Sequence, residues 1–458
     1  MKLVREGNAG HAQQRVFRPE RLLCLGFLLL ILLGGVLLAL PWSASAGASI
    51  GLGAGLFTAT SAVCVTGLVV VDTGTTFSLF GQLVLLGLIQ VGGLGFMVFA
   101  TMIMAALGRR VTLRDRLLMR ESLGATTLTG LVRLTGWYGL MALMLEGAGA
   151  ALLAVRFVPL YGWGRGLYLS LWHAVSAFCN AGFDLFGGFS SLTGFTHDPL
   201  VLVTIAVLII LGGTGFAVIS EVMEHRFSWR AFSLHARLVL VMTGGLLLAG
   251  TVFIALTEWD NPATLGTVDG WGNRIVNAFF QSVTMRTAGF NSVDLAAMGD
   301  GTKLVSSLLM LVGANPASTG GGIKTTTIAV VLLAVWAVIR GREDVTVMGR
   351  RIPRELVSRA LAVTTVTLLV FLTGTLALTL MENGKVPFID LVFETASAMA
   401  TVGVTSAGTP QLSLGSKLVL VPMMYLGRVG PMTMALALAS RQGEKTRLRC
   451  PEESVTIG

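Results

Sequence analysis

Ser397-Ala-Met-Ala-Thr401-Val402-Gly403-Val404-Thr405 is one of four stretches of this chain that read in step, and their agreement decides the fold. The other three are Ser61-Ala-Val-Cys-Val65-Thr66-Gly67-Leu-Val69, Ser176-Ala-Phe-Cys-Asn180-Ala181-Gly182-Phe-Asp184 and Val283-Thr-Met-Arg286-Thr287-Ala288-Gly289-Phe-Asn291. Successive glycines lie 115, 107 and 114 residues apart, and an aromatic (Phe57, Trp172, Phe279 or Phe393) stands ten residues before each. A single glycine of this kind has an ordinary explanation as a helix-packing contact. Four at a near-constant period, each with its aromatic, mark an internal repeat.

Each loop sits between two apolar runs. The first spans cover about Leu22–Leu40, Leu131–Val155, Ala236–Thr257 and Val357–Met381, and the second about Ser78–Leu107, Leu200–Glu221, Leu304–Arg340 and Leu414–Ser440. About 20 apolar residues cross a bilayer as a helix, and helices satisfy their own backbone in lipid. The reading is an all-α integral membrane protein of four units, each an outer span, a short pore helix, a glycine loop and an inner span. Two crossings per unit return the chain to the same side, so the units run parallel. That gives a pseudo-four-fold axis along the membrane normal, unlike the inverted repeats of many carriers. The boundaries are a segment 1–21, repeats at 22–107, 131–221, 236–340 and 357–440, and a tail 441–458.

Composition agrees. The chain is 53% hydrophobic and 12% charged, against roughly 25% charged in soluble proteins, too few charges for a water-facing shell. Leu22–Leu40 is too long for the apolar core of a cleaved signal, and further spans follow it. Of 33 lysines and arginines, 24 fall in segments 1–21, 108–133, 221–237, 340–359 and 441–458, and 7 in 41–77, 156–199, 257–303 and 382–417. The positive-inside rule turns the +9 net charge into an orientation signal with both termini cytoplasmic, not a nucleic-acid footprint. Cys24, Cys64, Cys179 and Cys450 form no C-x-x-C pair, and His11, His173, His197, His225 and His235 have no ligand spacing. No phosphate loop is present and no soluble segment is large enough for a nucleotide domain, so a self-contained pump is not expected; the reading is of a chain that is not an enzyme and is expected to bind no cofactor of its own.

The loops suit one kind of chemistry. A cation entering a bilayer exchanges water for fixed oxygens, which rings of backbone carbonyls supply. Glycine lets a loop turn its carbonyls inward through angles that side chains resist, and each short helix directs its negative end at the same place. The predicted filter for a cation is Val65, Thr66, Gly67, Asn180, Ala181, Gly182, Thr287, Ala288, Gly289, Thr401, Val402 and Gly403. Lys303 to Arg340 is too long for one straight span at ~1.5 Å per residue. It is interrupted at Gly313-Ala-Asn315-Pro316-Ala-Ser318-Thr319-Gly320-Gly321-Gly322-Ile-Lys324-Thr-Thr-Thr327. Non-helical backbone at this depth must face protein or water; it either relieves a long helix as a kink or forms a polar loop beneath the filter.

Two cations lie in apolar territory. Arg428, in Tyr425-Leu-Gly-Arg-Val-Gly-Pro431, faces the cavity as a barrier to cations, or else snorkels or pairs with a carboxylate. Lys324 pairs with backbone carbonyls or marks the cytoplasmic exit. Arg286 precedes a filter glycine by three residues and is expected to point away from the pore, toward Asp294 or Glu394. Asp184 either concentrates cations at the mouth or caps a turn.

This arrangement resembles the Trk/Ktr/HKT superfamily of potassium transporters, and within it the Ktr branch, over nearly the whole chain. Thr401-Val-Gly403-Val-Thr405 is close to the TVGYG of potassium channels, and Gly313–Thr327 is the most specific match. The resemblance implies the translocating subunit of a bacterial K⁺ uptake system in the plasma membrane. It implies a gate at Gly313, Asn315, Pro316, Ser318, Thr319, Gly320, Gly321, Gly322 and Lys324, with Arg428 beneath the filter. It further implies a homodimer, a KtrA-like cytoplasmic ring through which ATP or ADP acts, and Na⁺ as an activator or co-ion. The basic segment Arg340 to Arg359 is the docking surface for that ring, or simply obeys the orientation rule. The competing function is a secondary symporter with alternating access, which predicts inverted repeats with matching breaks in two halves; only the third repeat carries an evident break.

Overall fold

The computed structural model describes residues 19–95, 131–226, 228–431 and 433–434. The distal second span of repeat one, the segment 108–130 and the tail 441–458 lie outside the described residues, as do most of segment 1–21 and the last part of the final span. Repeat one comprises α1 (Pro19–Ala39), α2 (Leu52–Val63) and α3 (Leu79–Leu94). Repeat two comprises α4 (Leu131–Tyr161), α5 (Trp163–Phe178), α6 (Pro199–Thr214) and α7 (Phe216–Glu224). Repeat three follows with α8 (Leu234–Glu258), α9 (Trp271–Thr284), α10 (Asp300–Leu311) and α11 (Thr325–Ile339). Repeat four closes with α12 (Arg354–Glu382), α13 (Phe388–Met399) and α14 (Leu414–Val429).

Helices α1, α4, α8 and α12 are long and apolar enough to cross a membrane. They turn leucines outward, among them Leu25, Leu29, Leu143, Leu248, Leu369 and Leu376. The short helices α2, α5, α9 and α13 do the reverse and bury Thr58, Ser61, Ser176, Gln281, Ser282, Glu394 and Ser397. This polarity is inside out relative to a soluble domain, as expected when lipid is the outer solvent and a hydrated path the inner one. Second spans start at side-chain caps that occupy otherwise orphaned N–H groups: Ser78 accepts from Gly81, Asp198 from Val201 and Ser413 from Ser416.

Each second span packs on the short helix of the next repeat. Helix α3 touches α5, α6 touches α9, α10 touches α13, and α14 returns to α2. The four repeats therefore close in chain order around one axis.

The second spans are more broken than the sequence suggested. Helix α6 bends by 97° into α7 at Gly215, so repeat three is not alone in its interruption. Helices α3, α6 and α14 all stop at a glycine with φ +81° to +93°: Gly95, Gly215 and Gly430. A left-handed residue cannot continue a right-handed helix, which is why glycine stands there. In repeat three the same level is filled by the longer stretch between α10 and α11.

Candidate functional site

The short helices α2, α5, α9 and α13 stop four or five residues before their glycines, and a common backbone follows. Val65, Asn180, Thr287 and Thr401 take φ values of +53° to +70°, and Gly67, Gly182, Gly289 and Gly403 take +70° to +95°. Two left-handed residues separated by one ordinary residue turn successive carbonyls to the same side. Holding β-branched Val65, Thr287 and Thr401 in this region costs about 1–3 kcal/mol each, so neighbours must over-determine the loops. The Ser61 hydroxyl accepts from the Gly67 N–H and the Ser397 hydroxyl from the Gly403 N–H, both at 3.0 Å. Ser176 instead donates to the Phe183 carbonyl, and in repeat three, where Val283 replaces the serine, Thr284 donates to the Phe290 carbonyl.

The four loops meet. A Cβ added to Gly67 would lie 2.6 Å from the Ala181 carbonyl oxygen, one on Gly182 would lie 2.7 Å from that of Ala288, and one on Gly289 would lie 2.7 Å from that of Val402. A Cβ on Gly403 would fall on the Thr66 oxygen. Each glycine faces the carbonyl of the residue preceding the next one, and the sequence one-two-three-four-one closes a ring. All twelve residues predicted as a filter are thus brought together. Of the aromatics ten residues upstream, Phe57, Trp172 and Phe393 are buried behind the loops; in repeat three Phe280 is the fully buried ring and Phe279 only partly so.

On one side of the ring opens a cavity of about 170 Å³ lined by all four glycines, Asp72, Asp184, Asn291, Asp294 and Thr405. Asp184 Oδ1 accepts from the Phe186 N–H at 3.0 Å, the turn-capping use of the two considered for it, and the residue lies in the lining of this mouth. Asp72 caps a short turn through Thr75 and accepts from the Phe189 N–H at 2.8 Å.

On the other side the segment Gly313–Lys324 crosses beneath the ring. Gly320 abuts the Thr287 side chain and Gly321 that of Thr401. Its ends are sewn to other repeats: Thr319 N–H donates to Gly212 O at 3.2 Å, Asn315 Nδ2 to Gly213 O at 2.9 Å and Gly322 N–H to Gly427 O at 3.3 Å. Arg428 reaches the same place. It donates to the carbonyls of Thr319 and Gly92, and to that of Gly93 at 3.1 Å, and has no carboxylate partner among the described residues. Lys324 Nζ donates to Gly320 O at 2.7 Å, the carbonyl pairing of the two uses considered for it.

Arg286 departs from expectation in one respect. It lies beside Ile209, Thr243, Leu247 and Val283 and pairs with neither acid; Nη2 reaches the Gly313 carbonyl at 3.4 Å. Glu394 is occupied by the hydroxyls of Thr405 and Thr409, and Asp294 accepts from the Ala296 N–H.

Two further sets of residues went unread in the sequence. Gly92, Gly212 and Gly427 press against the carbonyls of Val63, Phe178 and Met399, the last residues of α2, α5 and α13. Their signal was available: Val91-Gly-Gly-Leu-Gly95, Leu211-Gly-Gly-Thr-Gly215 and Leu426-Gly-Arg-Val-Gly430 align, with Arg428 standing where the others have glycine. The second is a buried ion pair, Lys303 Nζ to Asp390 Oδ1 at 2.8 Å, joining α10 to α13. Nothing in linear spacing connects those two positions.

Comparison with known proteins agrees with this fold. Residues 36–446 match the TrkH family, described as a cation transport protein. The chain is 43% identical over 446 residues to the Ktr system potassium uptake protein B of Bacillus subtilis (strain 168), covering 96% of this chain and 97% of that one. It is 42% identical over 439 residues to the protein of the same name from Vibrio alginolyticus, covering 96% and 94%. The potassium/sodium uptake protein NtpJ of Enterococcus hirae is 38% identical over 446 residues, covering 96% and 97%. The crystal structure of the potassium transporter TrkH from Vibrio parahaemolyticus superposes with a TM-score of 0.73 at 17% identity, covering 94% of this chain and 87% of that one, a likeness of fold.

Proposed function

Because this chain belongs to the TrkH family of cation transport proteins, a family of multi-pass membrane transporters and not of enzymes, we propose that it is the translocating subunit of a bacterial K⁺ uptake system. The observation that carries the reading is the ring in which each loop glycine faces the next loop's carbonyl. Backbone oxygens held by left-handed residues offer a dehydrated cation a fixed shell without a buried counter-charge. The test is K⁺ uptake by potassium-starved cells lacking their own systems, comparing the parent with Gly403→Asp at matched expression. Rescue by the parent and collapse of the variant are expected; equal rescue by both removes Gly403 from the filter.

The gate reading rests on the segment Gly313–Lys324 lying under the ring with Arg428 bonded to its Thr319 carbonyl. In this state the segment blocks the path, and conduction requires it to leave. Control comes from a cytoplasmic KtrA-like ring that binds ATP or ADP, meeting the basic stretch Arg340–Arg359, where the exposed hairpin Thr346–Val347 with Arg350–Arg351 stands out. A homodimer in the bacterial plasma membrane with cytoplasmic termini completes the proposal, with Na⁺ as activator or co-ion in keeping with the printed name of the Enterococcus relative. The alternating-access symporter is disfavoured: breaks at Gly95, Gly215 and Gly430 and at the Gly313 segment recur in all four parallel repeats instead of in two inverted halves.

A further inference from the structure

Three cations hold three carbonyls of a single loop. Lys324 takes Gly320 O and Arg428 takes Thr319 O, while Arg286 takes Gly313 O, where the loop leaves α10. Arg286 differs from the other two because it belongs to a filter loop, three residues before Gly289. The equivalent positions in the other loops are Cys64, Cys179 and Ala400, all small. They leave room for second-span backbone: Gly93 packs against Cys179, and Gly322 lies near Ala400. Only the repeat whose second span is opened into the crossing segment puts a long cationic side chain there.

The surroundings of Arg286 are poorly matched to a charge. The residue is 8% exposed, no carboxylate pairs with it among the described residues, and its Nε has no hydrogen-bond partner there. The side chain lines a gap of about 10 Å³ with Gly213, Thr243, Val283 and Ala314. A buried guanidinium held by one long bond is costly, and a residue placed only to stabilise the fold would be better satisfied. Its one bond joins the base of filter loop three to the first residue of the crossing segment.

We propose that Arg286 is a positioning residue for the gate: through the Gly313 carbonyl it fastens the crossing segment to the third filter loop and holds that segment across the pore. The proposal rests on the gate reading above and extends it, because it links gate position to the filter itself. Displacement of filter loop three is then transmitted to the root of the segment without passing through Arg428.

The test uses full-length chain in proteoliposomes, with Ser318→Cys as reporter and the parent lacking that cysteine as background. A bulky thiol reagent applied from the cytoplasmic side reports how often the segment leaves its seat, and rubidium tracer uptake is read on the same vesicles. Arg286→Gln is expected to raise the labelling rate and the tracer flux roughly tenfold, the population shift from losing one hydrogen bond to a charged donor. Arg286→Lys, which keeps the charge but loses the planar donor, is expected to fall between. If Arg286→Gln does not give folded protein, the comparison of Arg286→Lys with the parent decides alone. Equal labelling in all chains overturns the proposal, as does a loss of melting temperature with no gain in labelling, which is what a simple end-cap on α10 gives. Faster labelling in vesicles that carry no tracer in any chain refutes the transport reading and leaves this one standing.

Discussion

Gly403 and Gly67 belong to the last and first repeats, yet a Cβ built on Gly403 would lie 2.8 Å from the Gly67 Cα. This contact closes the ring. It places the first and last loops side by side and makes the fourth loop depend on the first for its position.

Alanine at any ring glycine meets two penalties. The left-handed backbone disfavours a Cβ by about 1–2 kcal/mol, and the Cβ collides with backbone that cannot move aside. Gly182→Ala would set its methyl 2.5 Å from the Gly289 Cα. Uptake by starved cells is expected to fall at least roughly tenfold for Gly182→Ala and Gly403→Ala, with membrane-fraction protein unchanged. Parent-like uptake by either variant contradicts the ring as the conduction path.

Ser397 sits behind the fourth loop and accepts the Gly403 N–H at 3.0 Å. Ser397→Ala leaves that buried donor unpaired, at a cost of about 1–3 kcal/mol. Because the donor belongs to the ring, the strain appears as a looser shell, and sodium should compete better against potassium. Competition between the two ions in tracer uptake measures this; an unchanged competition curve assigns Ser397 to folding alone.

Arg428 binds the crossing segment and the end of α3 at once, through Thr319 O and the carbonyls of Gly92 and Gly93. Hydrogen bonds from a charged donor contribute about 1.5–3 kcal/mol. Removing them together with a positive charge beneath the ring should raise tracer flux of Arg428→Gln in proteoliposomes by roughly tenfold or more. Flux equal to or below the parent, in protein that remains folded, sinks the barrier role.

Lys303 and Asp390 form a buried pair at 2.8 Å, with the Ser406 hydroxyl donating to the same carboxylate oxygen. Removing one partner from such a pair costs about 3–5 kcal/mol, whereas replacing both with apolar groups of similar size is often neutral. Lys303→Met should therefore lower the melting temperature in detergent by several degrees, and Lys303→Met with Asp390→Leu should recover most of the loss. A double variant as unstable as the single one points to a role for Lys303 other than pairing.

The contrast between Gly403 and Arg286 shows where sequence reading stops. Gly403 was legible because its requirement is local: an angle few side chains accept, repeated at a fixed period. Arg286 was legible as a problem, a cation near a cation path, but its partner was not. The acids assigned to it had already been claimed, Glu394 by Thr405 and Thr409 and Asp294 by Ala296. The bend at Gly215 was missed for a related reason: Leu200–Glu221 reads as one unbroken apolar run, and hydropathy does not register a change of backbone handedness.

By itself, the sequence determined four parallel repeats, their first spans, their short helices and the loops that carry the ring glycines. Hydropathy, charge bias and glycine spacing are properties of neighbouring residues, and they survive without knowledge of packing. Only the tertiary structure decided the order one-two-three-four around the axis, the carbonyl that each glycine faces, the seat of the Gly313 segment under the ring, and the bonds of Arg428, Arg286 and Lys303. These are contacts between groups tens to hundreds of residues apart. They are set by how closely helices approach, which glycines such as Gly92, Gly212 and Gly427 permit at the carbonyls of Val63, Phe178 and Met399.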